Sequence, residues 1–296
     1  MDINSANLEA LRKTYNTAWQ AGVGFVPPVP IDFLFRDFPS TTAANFYAWL
    51  EQIPGFREWV GERIFRNVRS QKFEILNRDF EDSVSMGRNE IEDDQYGVYT
   101  PLVQMMGEMW SLLKREIVLE VLTANPLCFT GKAFFADDHA YGDETIDNVV
   151  TSALSESTFN AAFQAAAAWK FSNGKLCRTR FTHLVHGPKL HELAFHIVDA
   201  ETHVSGGVAV ANPNYKRVTR VEIEDLAGDY DDYWFLLDAS KPVKPVARQI
   251  RREAQPLMDT RVEQVMRTGR FDVMADGRAA AGPTSTGSEY GALAGL

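Results

Sequence analysis

Five of the six histidines, His183, His186, His191, His196 and His203, fall close together in the chain. Imidazole titrates near neutrality and ligates transition metals, so such a cluster can serve acid–base or metal chemistry. His191-Glu-Leu-Ala-Phe-His196 resembles the zinc metalloprotease signature, which needs two histidines four residues apart on one helical face. Here they are five apart, so the two side chains diverge by well over about 100° around a helix. A helix with partly exposed histidines is the better reading. Asp137-Asp138-His139, followed by Asp143, Glu144 and Asp147, could supply oxygens to a hard cation, but it lacks the spacing of a calcium loop and reads as a solvated acidic loop. Gly131-Lys132 and Gly174-Lys175 lack the upstream glycine and following hydroxyl of a phosphate loop, and Gly22-Val-Gly24 runs into prolines instead of a dinucleotide-binding helix. No Gly-x-Ser-x-Gly elbow is present. Cys128 and Cys177 lie far apart, match no metal or redox spacing, and read as reduced cytosolic thiols. The reading is therefore no enzyme, with no catalytic, cofactor or metal residue. A metal-dependent enzyme using His139, His183 or His186 with acidic neighbours is a rival that metal analysis would decide.

The elements that would position such residues belong to an ordinary globular chain. It has 296 residues, 45% hydrophobic and 24% charged, enough to bury a sizeable core. No apolar run is long enough for a membrane helix, and Met-Asp-Ile-Asn has neither the basic start nor the apolar core of a signal peptide. A net charge of −10 argues against a general nucleic-acid surface, because phosphate neutralisation needs a basic excess. Arg248, Arg251 and Arg252 are the best candidates for a local basic face.

The longest periodic stretch runs from 101 to 124. Thr100 suits a cap, Pro101 suits the first helical position, apolar residues recur at three- and four-residue steps, and Asn125-Pro126 closes it. The acidic run Glu90–Asp94 lies just upstream, favourably placed against the helix N-terminal dipole. Asn4 or Ser5 caps a helix to Gln20 that either packs on its own domain or rides on an arm, since the linker to Pro30 holds three prolines. Phe73 and Ile75, then Phe80, Val84 and Met86, alternate as strands, with Asn77-Arg78-Asp79 as the turn of a long hairpin. Its aromatic content exceeds what an isolated ribbon buries, so something else must cover it. Further on, the pattern predicts a helix over 158–170, strands over 178–186, 217–223 and 233–238, a helix after Gly187-Pro188, and a turn at Asn212-Pro-Asn-Tyr. A last strand run is expected from Val262 past Val265 and Phe271 to Gly282. The Gly/Ser/Ala-rich tail beyond it is expected to be loose unless docked. The class is α+β, without βαβ alternation or internal repeats.

Several stretches resemble the major head subunit (gpT) family of Mu-like bacteriophages and prophages: Asn4–Gln20, Pro39-Ser-Thr-Thr, Trp49-Leu-Glu-Gln-Ile-Pro-Gly-Phe-Arg-Glu-Trp-Val-Gly61, Glu90-Ile-Glu-Asp-Asp-Gln-Tyr-Gly-Val-Tyr99, Gly131-Lys-Ala-Phe-Phe-Ala-Asp-Asp-His139, Tyr233–Pro245 and Gly269–Gly282. Together they cover most of the chain in order. The tail from Pro283 departs from the family's more aromatic close. The resemblance implies the Hong Kong 97 phage-type major capsid fold. It maps an N-arm to 1–39, an extended loop to 40–88, a peripheral domain with its spine helix (101–124) to 89–126, an axial domain to 127–245, and a return to the peripheral domain over 246–296. It implies self-assembly into pentamers and hexamers of an icosahedral shell around double-stranded DNA, with a separate scaffold protein, a portal, possible decoration proteins and little or no propeptide. Trp49, Phe56, Arg57, Trp59 and Phe73 would anchor subunit interfaces. A nanocompartment shell of the same fold around an enzyme cargo is the alternative, decided by the neighbouring genes.

Overall fold

Asn4, in extended backbone, accepts the Asn7 N–H through its side chain and starts helix α1 (Ser5–Val23). The structure, a computed structural model of the chain, describes residues 4–25, 27, 29–50, 70–93, 97–141, 144–170, 174–205, 207–241, 244–284 and 292–295. The chain continues through strands β1 (Phe35–Pro39), β2 (Ala44–Leu50), β3 (Ser70–Leu76) and β4 (Arg78–Gly87), short helix α2 (Arg88–Asp93) and long helix α3 (Tyr99–Thr123). Its middle holds β5 (His139–Tyr141), β6 (Glu144–Ile146), β7 (Val149–Val150), α4 (Glu156–Ala168), β8 (His183–His186), α5 (His191–Val198), β9 (Thr202–Ser205), β10 (Val208–Ala211), β11 (Thr219–Glu222) and β12 (Trp234–Leu237). It closes with β13 (Val246–Met258), α6 (Val262–Thr268), β14 (Arg270–Pro283) and β15 (Ala292–Gly295).

Strands in the order β1-β13-β14-β4 make one sheet, and strands in the order β11-β8-β12-β15-β7 make another. The class is α+β, as the pattern predicts. Helix α3 braces both sheets. Val103, Met106, Trp110 and Ile117 pack with Leu8, Tyr15 and Trp19 of α1 over the Phe271–Val273–Ala275 face of β14. One turn further on, Val118, Leu119, Val121 and Leu122 enter a second core with Phe134, Phe135, Val185, Phe235 and Leu237. A third core sandwiches α4 and α5 on the other face of the five-stranded sheet, around Phe159, Phe181, Leu184, Trp234 and Ile197. At 25 residues, α3 is about 37 Å long, enough to reach across the subunit. Of the two readings of the first helix, docking on its own domain is the one observed.

Several local expectations are corrected. Helix α3 starts two residues before Pro101, at a Val98 cap with no side-chain bond. Pro101 sits within the first turn, where N–H groups have no intrahelical partner to lose. The acidic run is not a free approach to that helix: most of it winds into α2, where Glu90 accepts the Gly87 N–H (2.9 Å) and the Tyr99 hydroxyl (3.1 Å).

The expected hairpin over 72–86 does not form. β3 pairs with β2, and β4 pairs with β14. Asn77 is a one-residue break between two collinear strands, its amide donating to Ser40 Oγ and to the carbonyls of Thr42 and Ala43. Alternation identifies a strand without naming its partner, so an uninterrupted line and a hairpin read alike.

The run from Val262 is a helix, α6, stopped by Gly269 in the left-handed conformation (φ 66°). Strand β13 has no sequence signature because its register shifts twice, between Ile250 and Arg252 and between Arg252 and Gln255. The expected 178–186 strand shortens to β8. The tail is not loose throughout: β15 lies between β12 and β7. A Cβ at Gly295 would come 2.0 Å from the Trp234 indole nitrogen, so even alanine would displace that ring.

Candidate functional site

The histidines do not converge. His139 is buried, with Nδ1 3.1 Å from the Thr130 hydroxyl and Nε2 3.2 Å from the Phe134 carbonyl. His183 and His186 are three residues apart on β8 and so face opposite sides of the sheet. His183 stacks on Phe33 (centroids 4.2 Å, planes 1° apart). His186 is buried and its Nδ1 donates to the Gly187 carbonyl (2.8 Å), which leaves Nε2 without a partner among the described residues. His191 and His196 are exposed on α5 beside Glu222 and Glu192, and His203 lies in β9. Asp138 pairs with Lys132, and Asp147 accepts the Val149 N–H. The side chains of Asp143 and Glu144 lie outside the described residues. Among the described residues no group of three or more His, Cys, Asp or Glu side chains is placed to hold a metal. Both cysteines are buried and unpaired, and burial pushes the Cys177 thiol up to about 12.

Burial lowers the pKa of His139, His183 and His186 below the usual 6.5. In each case the native state favours the neutral ring, while the unfolded ring protonates near pH 6.5. Below that pH the unfolded chain binds more protons, so stability is complete above about pH 6.5 and falls as pH drops through it. Thermal melting of the unassembled subunit is expected to move steadily down between pH 7 and pH 5. A flat profile there would contradict neutral burial of these rings.

The proposed interface anchors fall at or beyond one ribbon. Trp49 is described only through its backbone in β2, and Phe56, Arg57 and Trp59 lie outside the described residues. Phe73, opposite Tyr47 midway along the ribbon, is half-buried and packed against Ile75, Ala247 and Ala280 of its own chain. The ribbon pairs Ala44 with Leu76 through to Leu50 with Ser70, and among the described residues its two strands pair only with each other. The candidate basic face is neutralised at two of its three positions. Arg248 forks onto Asp37 (2.7 and 2.9 Å), and Arg252 pairs with Asp276.

Sequence reasoning missed two surfaces. Leu257 and Met274 sit opposite each other on β13 and β14, both exposed, and were hidden because β13 was not legible. A groove of about 290 Å³ opens between α1, α3 and β4, lined by Trp19, Phe80, Met106, Met109, Trp110 and Leu113.

The model of the family described as Mu-like prophage major head subunit gpT matches residues 8–163 and 217–291. The Mu-like prophage FluMu major head subunit of Haemophilus influenzae is 39% identical over 124 residues, 40% of each chain. The major capsid protein of Escherichia phage Mu is 30% identical over 142 residues, 47% of this chain and 46% of that one. The chain thus aligns with less than half the length of these two relatives. Among solved structures, the procapsid of bacteriophage JBD30 superposes with a TM-score of 0.58 at 24% identity, over 99% of this chain and 76% of that chain. That likeness shows the phage capsid fold which the resemblance implied. With a family match that leaves out little more than residues 164–216, the conclusion is direct: the chain belongs to the Mu-like prophage major head subunit gpT family.

Proposed function

We propose that the chain is the major capsid protein of a Mu-like phage or prophage and assembles with copies of itself into pentamers and hexamers of an icosahedral shell around double-stranded DNA. The observation that carries this is the β2–β3 ribbon, which is separate from the four-stranded sheet and among the described residues is paired only to itself. A lone two-stranded ribbon is marginal in water, so a neighbouring subunit is its natural support. In this reading residues 1–39 form the N-terminal arm segment, with its helix α1 docked on α3 of its own subunit, 40–88 the extended loop, 89–126 the peripheral domain around α3, 127–245 the axial domain and 246–296 the return. The acidic subunit (−10) keeps the genome from adhering to the inner wall, since DNA binding is driven by basic side chains releasing counterions. Assembly takes place in the host cytoplasm with a scaffold protein, a portal and decoration proteins as partners, and the subunit catalyses nothing.

Negative-stain microscopy of the expressed protein tests the reading, with closed shells or capsomer rings expected; a monodisperse monomer under all assembly conditions would sink it. Trp49, Phe56, Arg57, Trp59 and Phe73 are the proposed anchors, because buried aromatics and arginines dominate interface energies. Trp59→Ala is expected to leave the subunit's melting transition in place while the assembled fraction falls by about tenfold or more. Loss of the folded subunit itself, with no separate assembly defect, would remove Trp59 from the interface.

A further inference from the structure

Unpaired positive charge in this acidic chain gathers at one end of the five-stranded sheet. Residues 170–191 hold five lysines and arginines and no aspartate or glutamate, and residues 239–245 add Lys241 and Lys244, again with no acid. The two stretches meet where β8 begins and β12 ends, since His183 pairs with Leu237. The Arg180 N–H donates to the Asp238 carboxylate (2.9 Å), and the Ala239 N–H to the Thr182 hydroxyl (2.9 Å). The Lys241 ammonium donates to the Cys177 carbonyl (3.0 Å), and the Lys244 ammonium to the Ala239 carbonyl (2.7 Å). Arg178, Arg180, Lys241 and Lys244 are thereby held in one knot of chain.

None of these four side chains forms an ion pair among the described residues. Asp238, between the two stretches, is fully buried and turns its oxygens to the N–H groups of Arg180 and Ser240 and to the Ser240 hydroxyl. Four cations stand against its single charge. The carbonyls that hold the two ammonium groups orient them without neutralising them, and each ammonium has three N–H groups, so donors remain for an anion. Arg178 and Arg180 are exposed. Guanidinium forks beside ammonium groups suit phosphate oxygens and carry no base readout. Double-stranded DNA offers such oxygens at about one charge per 1.7 Å of its axis.

We propose that the Arg178, Arg180, Lys241 and Lys244 patch binds the phosphodiester backbone of duplex DNA, without regard to sequence. This rests on the shell reading above. The acidic surface elsewhere repels the duplex, so contact is confined to this patch. Fluorescence anisotropy of a labelled duplex of about 30 base pairs, titrated with the full-length subunit at about 50 mM salt, tests it. Each phosphate contact adds about 0.9 to the fall of log affinity with log salt, so four give a slope of about −3.6. Arg178→Asn with Arg180→Gln, where asparagine tolerates the positive φ of position 178 (53°), is expected to weaken binding by about tenfold or more and to halve that slope. Lys13→Gln with Arg267→Gln removes the same charge far from the patch and is expected to leave both unchanged. No binding by the wild-type subunit, an unaltered double variant, or an equal loss in the distant pair overturns the proposal. So does displacement of the duplex by polyglutamate at equal charge, which would make this a carboxylate site. In the wild-type protein, where no variant has to fold, duplex is expected to slow acetylation of Lys175 and Lys244 severalfold but not of Lys13; equal labelling at all three overturns it too. Shells seen by microscopy without duplex binding fail this proposal alone, whereas absence of shells fails the reading beneath it as well.

Discussion

Gly107→Ala is expected to lower the stability of the subunit by about 2–3 kcal/mol, the cost of overpacking, although helix propensity alone favours alanine by about 1 kcal/mol. The opposite sign comes from the crossing of α1 and α3. A Cβ on Gly107 would sit 2.5 Å from the Trp19 carbonyl oxygen and 3.2 Å from the Gly22 Cα. On the facing helix, a Cβ on Gly22 would lie 2.0 Å from the Gln104 carbonyl oxygen. The backbones touch, and neither side has a flexible side chain to move aside. Relief comes only from lifting α1, which uncovers Leu8, Tyr15 and Trp19, each at most 2% exposed. Urea denaturation of the unassembled subunit measures the loss, and hydrogen exchange over residues 5–23 places it. A stability gain would mean that the two helices are not in contact at these glycines.

Asn212→Leu is expected to cost about 3 kcal/mol or more, because it leaves several buried carbonyls unpaired at about 1–3 kcal/mol each. The Asn212 amide donates to the carbonyls of His196 (3.2 Å), Ile197 (3.0 Å) and Ala200 (2.8 Å), and its oxygen accepts the Asn214 N–H (2.9 Å). These are carbonyls at and just past the end of α5, where no further helical turn can satisfy them. Asn212→Asp discriminates between shape and bonding. It keeps the volume and the acceptor but replaces the donor with a carboxylate facing three carbonyls, so it is expected to be at least as damaging. Thermal melting of the subunit decides, and an Asp variant as stable as wild type would show that the amide donor is not what secures this turn.

Much of the chain was legible because local physics decided it. The α3 helix, α4, the α5 helix and the β12 run all follow from spacing over a few residues, although α3 and α4 each begin two residues earlier than expected. Asn4 caps α1 as its position predicts. What failed was partner choice. The alternation over 73–86 is the same for a hairpin as for one line that changes sheets at Asn77, and β13 hides its alternation behind two register shifts. The candidate site divides in the same way. On α5 His191 lies beside Glu222 and His196 beside Glu192, and the structure puts His183 and His186 on opposite sides of their strand. The groove was invisible, since Trp19, Phe80 and Trp110 come from three separated elements.

By itself the sequence determined the α+β class, the long strut helix and, through its motifs, the head-subunit family. These depend on periodicity, caps and residue strings, which are properties of neighbours along the chain. Only the tertiary structure decided that α3 braces two sheets, that α1 lies against α3 through Gly22 and Gly107, that β2 and β3 pair with each other among the described residues, and that Ala292–Gly295 pairs with β12 with Gly295 against Trp234. Each depends on which surfaces meet across long stretches of chain, where close approach is governed by single missing Cβ atoms. No local pattern encodes that contact.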